Sequence, residues 1–421
     1  MKKIAFFLVI IATFLGSCTL EVLENPKSVT PDKAQDEPTD VLLSAAGALK
    51  NAMDAHQKNA WVAGLVGNEE IQTVKDAGFS QFAIRIEKEN TLKGDNTQNR
   101  TNCNRVYLAL ALAENARKGL AKVTFAGNDA KTKALFNANI LMVEGMMYGN
   151  MAKFYATVPE LGTDKRLSNA EGKDRAIKAL QDAIVQFKAF AASTDTLTFK
   201  TPGLYSTTDI ALKFCNSFIG MLYFDTGEKA KATPFLEAGY TWADAGKELT
   251  FKVQNALTGD GIYPEWRSGI EFELNGYAQK FIDARIADDT LRRLPTRWFT
   301  AAPAIAVATN RLVMSYFYPQ APAGANPATG TTTAAGYPVI SAAEVALMLA
   351  DPAVGKANAA ATISLVLQSW KITKARADVL STDATITLDR VARFEYAGRG
   401  RRWAAVGTYP KWDLANEFNF K

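Results

Sequence analysis

Histidine is nearly absent from this sequence: His56 is the only one among 421 residues. A serine–histidine–aspartate triad would have to use that residue, and a zinc site would have to be built almost wholly from carboxylates. No catalytic residue, metal ligand or cofactor is therefore assigned. His56 lies in the polar run Asp54-Ala55-His56-Gln57-Lys58 and is expected to be solvated. Cysteine is almost as scarce. Apart from Cys18 there are Cys103 and Cys215, both inside helical patterns, which either bridge in an oxidising compartment or stay as buried thiols. A surplus of one charge is lacking as well: the formal net charge is +5, and Lys2 and Lys3 belong to a leader, so nucleic acid is not expected as a partner. Long apolar runs are missing beyond the first residues, so no later segment is expected to cross a membrane.

What is present begins with that leader. Lys2 and Lys3 precede an apolar run from Ile4 to Leu15, closed by Gly16, Ser17 and Cys18. The run is shorter than the roughly 20 apolar residues of a spanning helix and reads as a signal peptide over residues 1–17. Leu15-Gly16-Ser17-Cys18 resembles a bacterial lipobox, in which the cysteine is acylated. Two or more acyl chains, at about 0.8 kcal/mol per buried methylene, hold an otherwise soluble protein on a membrane. Residues 18–40, with Pro26, Pro31 and Pro38, read as an extended lipidated tether.

The remaining body, 41–421, is 48% hydrophobic when counted over the whole chain, enough for a large core in one intertwined unit or two domains. Its central piece is Ala134–Leu161. Phe136, Ile140, Val143, Met147, Met151 and Phe154 recur at helical steps, and Leu135, Leu141, Met142, Met146 and Tyr148 widen the stripe until few polar positions remain. Such a helix needs neighbours on more than one side. Val158-Pro159 must end it, because the residue before proline is pushed out of the helical region. Further helices are expected over Val41–Asp54, Asn102–Leu120, Arg175–Phe190 and within Thr208–Tyr240. In the last of these, Gly220, Tyr223, Gly227, Ala232, Leu236 and Gly239 follow the small–large pattern of a tetratricopeptide repeat. The expected fold is mainly α: helical hairpins over about 41–250 and 339–405, with a loop-rich insert over about 250–338.

Several motifs occur in an order that resembles the SusD/RagB family. Phe154-Tyr155 running into Val158-Pro159 is similar to that family's aromatic-Tyr-Gly-Asp-Val-Pro turn, with Ala156 and Thr157 replacing Gly and Asp. Tyr107 and Asn115 are spaced as in its Tyr-x-x-Ile-x-x-Ala-Asn helix, and Asp283-Ala284-Arg285 is similar to its Asp-x-Arg. Ser341 to Asp351 resembles its Arg-x-x-Glu-Val-x-Leu-x-x-Ala-Glu helix, and Glu395 to Trp403 its Glu-x-Ala-Phe-Glu-Gly-x-Arg-Trp. In that last run an internal ion-pair cluster of Glu395 with Arg399 and Arg402 competes with a basic surface patch. The resemblance implies a surface-exposed, lipid-anchored outer-membrane protein that binds a nutrient, foremost a glycan, and delivers it to a SusC-like TonB-dependent transporter. It implies binding without covalent chemistry.

Sugars present apolar C–H faces with hydroxyls at their rim, so a site needs flat rings flanked by hydrogen-bonding groups. Tyr263, Glu265, Trp266 and Arg267 supply two rings, an acceptor and a forked donor within five residues, and Trp61 with Asn68 is a second candidate. The competing reading makes Trp61 and Trp266 core plugs beneath long loops. Two other function classes stay open at this point. One is a helical-toroid carbohydrate-active enzyme using paired carboxylates from among Glu69, Glu70, Asp260 and Glu265; the other is a tetratricopeptide-type adaptor for peptides.

Overall fold

The computed structural model describes residues 35–66, 70–71, 97–127, 129–154, 157–191, 207–252, 276–277, 299–301, 312–314, 336–370 and 372–396. In chain order the elements are α1 (Pro38–Val66), β1 (Glu70–Ile71), α2 (Thr97–Lys122), α3 (Asp129–Phe154), β2 (Val158–Pro159) and β3 (Arg166–Leu167). Then come α4 (Asn169–Ala191), α5 (Thr208–Asp225), α6 (Lys229–Glu237), β4 (Thr250–Lys252), β5 (Gly276–Tyr277), β6 (Phe299–Ala301), β7 (Leu312–Met314) and β8 (Gly336–Pro338). The chain closes on α7 (Ala342–Ala350), α8 (Ala359–Ser369), α9 (Lys374–Ser381) and α10 (Leu388–Tyr396). The fold is mainly helical, with α1 on α2 and α3, α3 on α4, α4 on α5, and α5 hairpinned to α6.

The predicted central helix is α3, and its stripe is its packing surface. Phe136, Ile140, Met142, Val143, Met146, Met147, Tyr148 and Met151 are all buried. Two glycines set how closely its neighbours approach. A Cβ on Gly145 would lie 2.3 Å from Leu180 of α4, and one on Gly149 would lie 2.9 Å from Phe218 of α5. The Asp129 carboxylate accepts from the Phe125 amide at 2.8 Å and so tightens the entry to the helix.

The tetratricopeptide-like size pattern has the same physical basis in the hairpin of α5 and α6. A Cβ on Gly220 would meet Leu236 at 2.6 Å, and one on Gly239 would meet the Ser217 hydroxyl at 2.5 Å. The turn between the helices needs Gly227 at φ 80°, a conformation that only glycine adopts at no steric cost.

The stop after α3 is built as a short hairpin. Val158 pairs with Leu167 and Pro159 with Arg166 in an antiparallel ladder. Two tyrosines pin it: Tyr107 Oη donates to the Pro159 carbonyl at 3.4 Å, and the Leu161 amide donates to Tyr148 Oη at 3.3 Å. Arg175 stacks 4.4 Å over the Tyr148 ring and pairs with Glu160. Burial raises the Tyr107 phenol to about 12, so both rings act as neutral hydrogen-bonding posts.

Two sequence expectations are corrected here. The first helix does not end at Asp54 but runs to Val66. His56, expected in solvent, is 4% exposed. It continues the buried stripe Leu49, Ala52, Met53 at helical spacing, and its Nδ1 lies 3.1 Å from Asn150 Oδ1 on α3. Close by, Lys153 faces Asp225 at 3.7 Å with both side chains almost fully covered. No disulfide joins Cys103 to Cys215. Burial pushes the Cys215 thiol well up.

Burial, reinforced by the Lys153 ammonium, lowers the His56 pKa from 6.5 to about 4, against the opposing pull of Asn150. The folded state therefore holds the neutral ring. Its contribution is fully present above pH 6.5 and is lost as pH falls from there towards 4, amounting to about 3 kcal/mol. Urea unfolding at pH 7 and pH 4 checks this. The wild type is expected to lose about 3 kcal/mol more than His56→Gln over that interval; equal losses would show that the ring carries no such linkage.

Candidate functional site

The helices carry a cluster of three buried carboxylates where α7, α8 and α10 meet. Glu248, Glu344 and Glu395 are 5%, 0% and 0% exposed. Ser341 caps α7: its hydroxyl accepts from the Glu344 amide at 3.1 Å while the Glu344 carboxylate accepts from the Ser341 amide at 2.8 Å, a reciprocal capping box. Glu248 accepts from the amides of Ala342 at 3.1 Å and Gly246 at 2.6 Å. Glu395 accepts from Ser341 Oγ at 3.2 Å and from the indole of Trp370 at 2.9 Å. Buried carboxylates held this way are satisfied acceptors that join helices; no proton-transfer role follows from the geometry.

The motif residues at the far end of α7 are joints as well. Asp351 receives both 2.9 Å contacts of Lys229 from α6 and accepts from the Ala353 amide at 2.9 Å. Glu395 has the hydroxyl of Ser341 and the indole of Trp370 among its partners, and Arg399 and Arg402 lie outside the described residues.

The residues proposed from the sequence for ligand contact fall elsewhere. Trp61 is on the last turns of α1, with its side chain outside the described set. Asn68, Tyr263, Glu265, Trp266 and Arg267 lie outside the described residues, as do Cys18, Glu69 and Asp260. Glu70 is placed by its backbone only, in β1. The strands nonetheless show how the chain frames these segments. β4 and β8 pair antiparallel, Thr250 with Pro338 and Lys252 with Gly336, so the two ends of 253–335 leave the helical body side by side. β1 pairs with β5 through Glu70 with Tyr277 and Ile71 with Gly276, which ties the segment after α1 to the segment after Arg267. β6 and β7 form a further ladder inside 253–335.

A second concavity, which the sequence did not signal, lies on the helical body. Arg117 and Leu120 of α2, Lys133, Ala134 and Asn137 of α3, and Gln186 of α4 line an open cleft of about 350 Å³. Its residues come from three helices spread over 70 positions, so no local pattern announces it. The one local hint is Lys133 and Asn137, four apart and accessible on a helix that is otherwise almost wholly apolar. Among the described residues, no group of three or more histidine, cysteine or carboxylate side chains is placed to hold a metal ion.

No family model matches the sequence, and no curated protein matches it. Solved structures do match its fold. Surface glycan-binding protein A from Bacteroides fluxus superposes with a TM-score of 0.64 at 13% identity, over 92% of this chain and 91% of that one. Surface glycan-binding protein A from Bacteroides thetaiotaomicron, in complex with laminarihexaose, gives 0.60 at 13% identity over 88% and 90%. A laminarin-binding SusD-like protein gives 0.60 at 15% identity over 92% and 94%. At such identities the likeness is one of fold, and the fold is that of the SusD-like proteins.

Proposed function

We propose that this chain is a SusD/RagB-type lipoprotein of the outer membrane that captures a glycan at the cell surface and passes it to a SusC-like TonB-dependent transporter. The observation that carries the reading is the match of nearly the whole chain to glycan-binding proteins of this fold. The lipobox-like Leu15-Gly16-Ser17-Cys18 adds an anchor that a surface receptor needs and that an adaptor inside the cell does not. The buried carboxylates described above are committed to capping and helix joining, which favours a binding role over hydrolysis by those groups. The proposed ligand contacts are Tyr263, Glu265, Trp266 and Arg267, with Trp61 and Asn68 as a second group; the pairing of β1 with β5 and of β4 with β8 supports placing the ligand surface on this part of the chain.

Trp266→Ala tests the ring as a sugar platform. Affinity for a β-glucan oligosaccharide is expected to fall by about 1 to 2 kcal/mol with an unchanged melting temperature. A stability loss of about 3 to 5 kcal/mol would instead make Trp266 a core plug.

Membrane fractionation tests the anchor and the partner together. Wild-type protein is expected in the outer membrane and, after detergent extraction, in company with a large β-barrel protein; Cys18→Ala is expected in the soluble fraction. Cys18→Ala that still sediments after a high-salt wash would contradict the lipid anchor. Recovery of wild-type protein alone would contradict the transporter partnership.

A further inference from the structure

We propose that the open cleft between α2, α3 and α4 is a second binding site, distinct from the loop segment, for a single neutral sugar unit. Its apolar lining, Ala130 and Ala134 of α3 with Leu120 and Ala121 of α2, makes the floor. Asn137 and Gln186, on different helices, also line it, and neither amide has a hydrogen-bond partner among the described residues. Each amide offers one acceptor oxygen and two N–H donors. An apolar floor with paired donor–acceptor groups at its edge matches a pyranose ring, whose C–H face is apolar and whose hydroxyls both donate and accept. The volume of about 350 Å³ is at the small end for ligand pockets, which fits a sugar unit rather than a folded partner.

Charge decides between a neutral and an anionic ligand. Both cations that line the cleft already face a carboxylate. Arg117 lies 2.9 Å from Glu114, and its other nitrogen lies 2.6 Å from Glu144, close enough for an ion pair though not aligned for a hydrogen bond. Lys118 lies 3.8 Å from Glu114, and Lys133 lies 3.1 Å from Asp129. Arg117 and Lys133 face three carboxylates between them, which leaves no surplus positive charge to attract an acid, and a uronate or phosphate would approach Glu144 and Glu114 unfavourably. The absence of an aromatic ring from the lining sets the affinity low, in the range where such a site holds a long chain by adding to another site rather than alone.

The test is a titration of protein selectively labelled with ¹⁵N-asparagine and ¹⁵N-glutamine, with glucose, laminarihexaose and glucuronate as probes. The side-chain amide signals of Asn137 and Gln186 are expected to shift saturably with glucose and laminarihexaose, and at least tenfold less strongly with glucuronate. Ala134→Leu, which fills the floor, is expected to abolish these shifts, as is the double variant Asn137→Ala/Gln186→Ala for any other reporter at the cleft. The double variant changes only accessible polar groups and keeps the test open should Ala134→Leu disturb packing. Trp266→Ala is expected to leave the cleft shifts intact. Laminarihexaose that binds the protein without moving Asn137 and Gln186 would overturn the cleft site and leave the loop site standing. Cleft shifts as the only response to laminarihexaose would support the cleft site and contradict the loop site. Equal shifts with glucuronate, or shifts that survive Ala134→Leu in a folded protein, would overturn the proposal.

Discussion

The rest of the structure depends on the burial of α3 on all but one narrow strip. Its methionines, Phe136, Ile140 and Val143 are buried, and the helix packs on α1, α2, α4 and α5 at once. Gly145 and Gly149 let Leu180 and Phe218 settle against the α3 backbone, so that each neighbour is held at a distance only a missing side chain permits. Close packing of this kind makes interiors sensitive to single methylenes, which is why the two glycines matter as much as the large residues. The strip left open includes Lys133, Ala134 and Asn137, which line the cleft.

Around that core the chain is fastened at a few pinned points. The Val158-Pro159 turn is locked by Tyr107, Tyr148 and Arg175. The neck formed by β4 and β8 returns the chain to Val339, Ile340 and the capped start of α7, where Ser341 links Glu344 and Glu395. Lys229 then fastens α6 to Asp351 at the end of α7. The β4–β8 ladder thus joins Lys252 and Gly336 on the helical body.

Much of this was legible in the sequence, for physical reasons. The period of apolar residues over Ala134–Leu161 identified α3, because a helix buried on several sides leaves few positions for polar residues. The small–large pattern of Gly220, Ala232, Leu236 and Gly239 identified a close hairpin, because helix approach is limited by side-chain size. His56 was misjudged because Gln57 and Lys58 make its surroundings look polar, although Leu49, Ala52 and Met53 place it on the buried stripe. Ser341 to Asp351 resembled a family motif, and its Ser341 and Glu344 also have the spacing of a capping box; in the structure that role is the one they fill. The cleft was invisible, since Arg117, Asn137 and Gln186 meet only after three helices have packed.

The central claim is capture of an intact glycan without chemistry upon it. Calorimetric titration of the protein lacking residues 1–18 with laminarihexaose, followed by chromatography of the recovered sugar, tests it most directly. Saturable binding is expected, with the hexasaccharide returned at its full length. Shortened products, or no binding to laminarihexaose or to any other glycan of a broad panel, would contradict it.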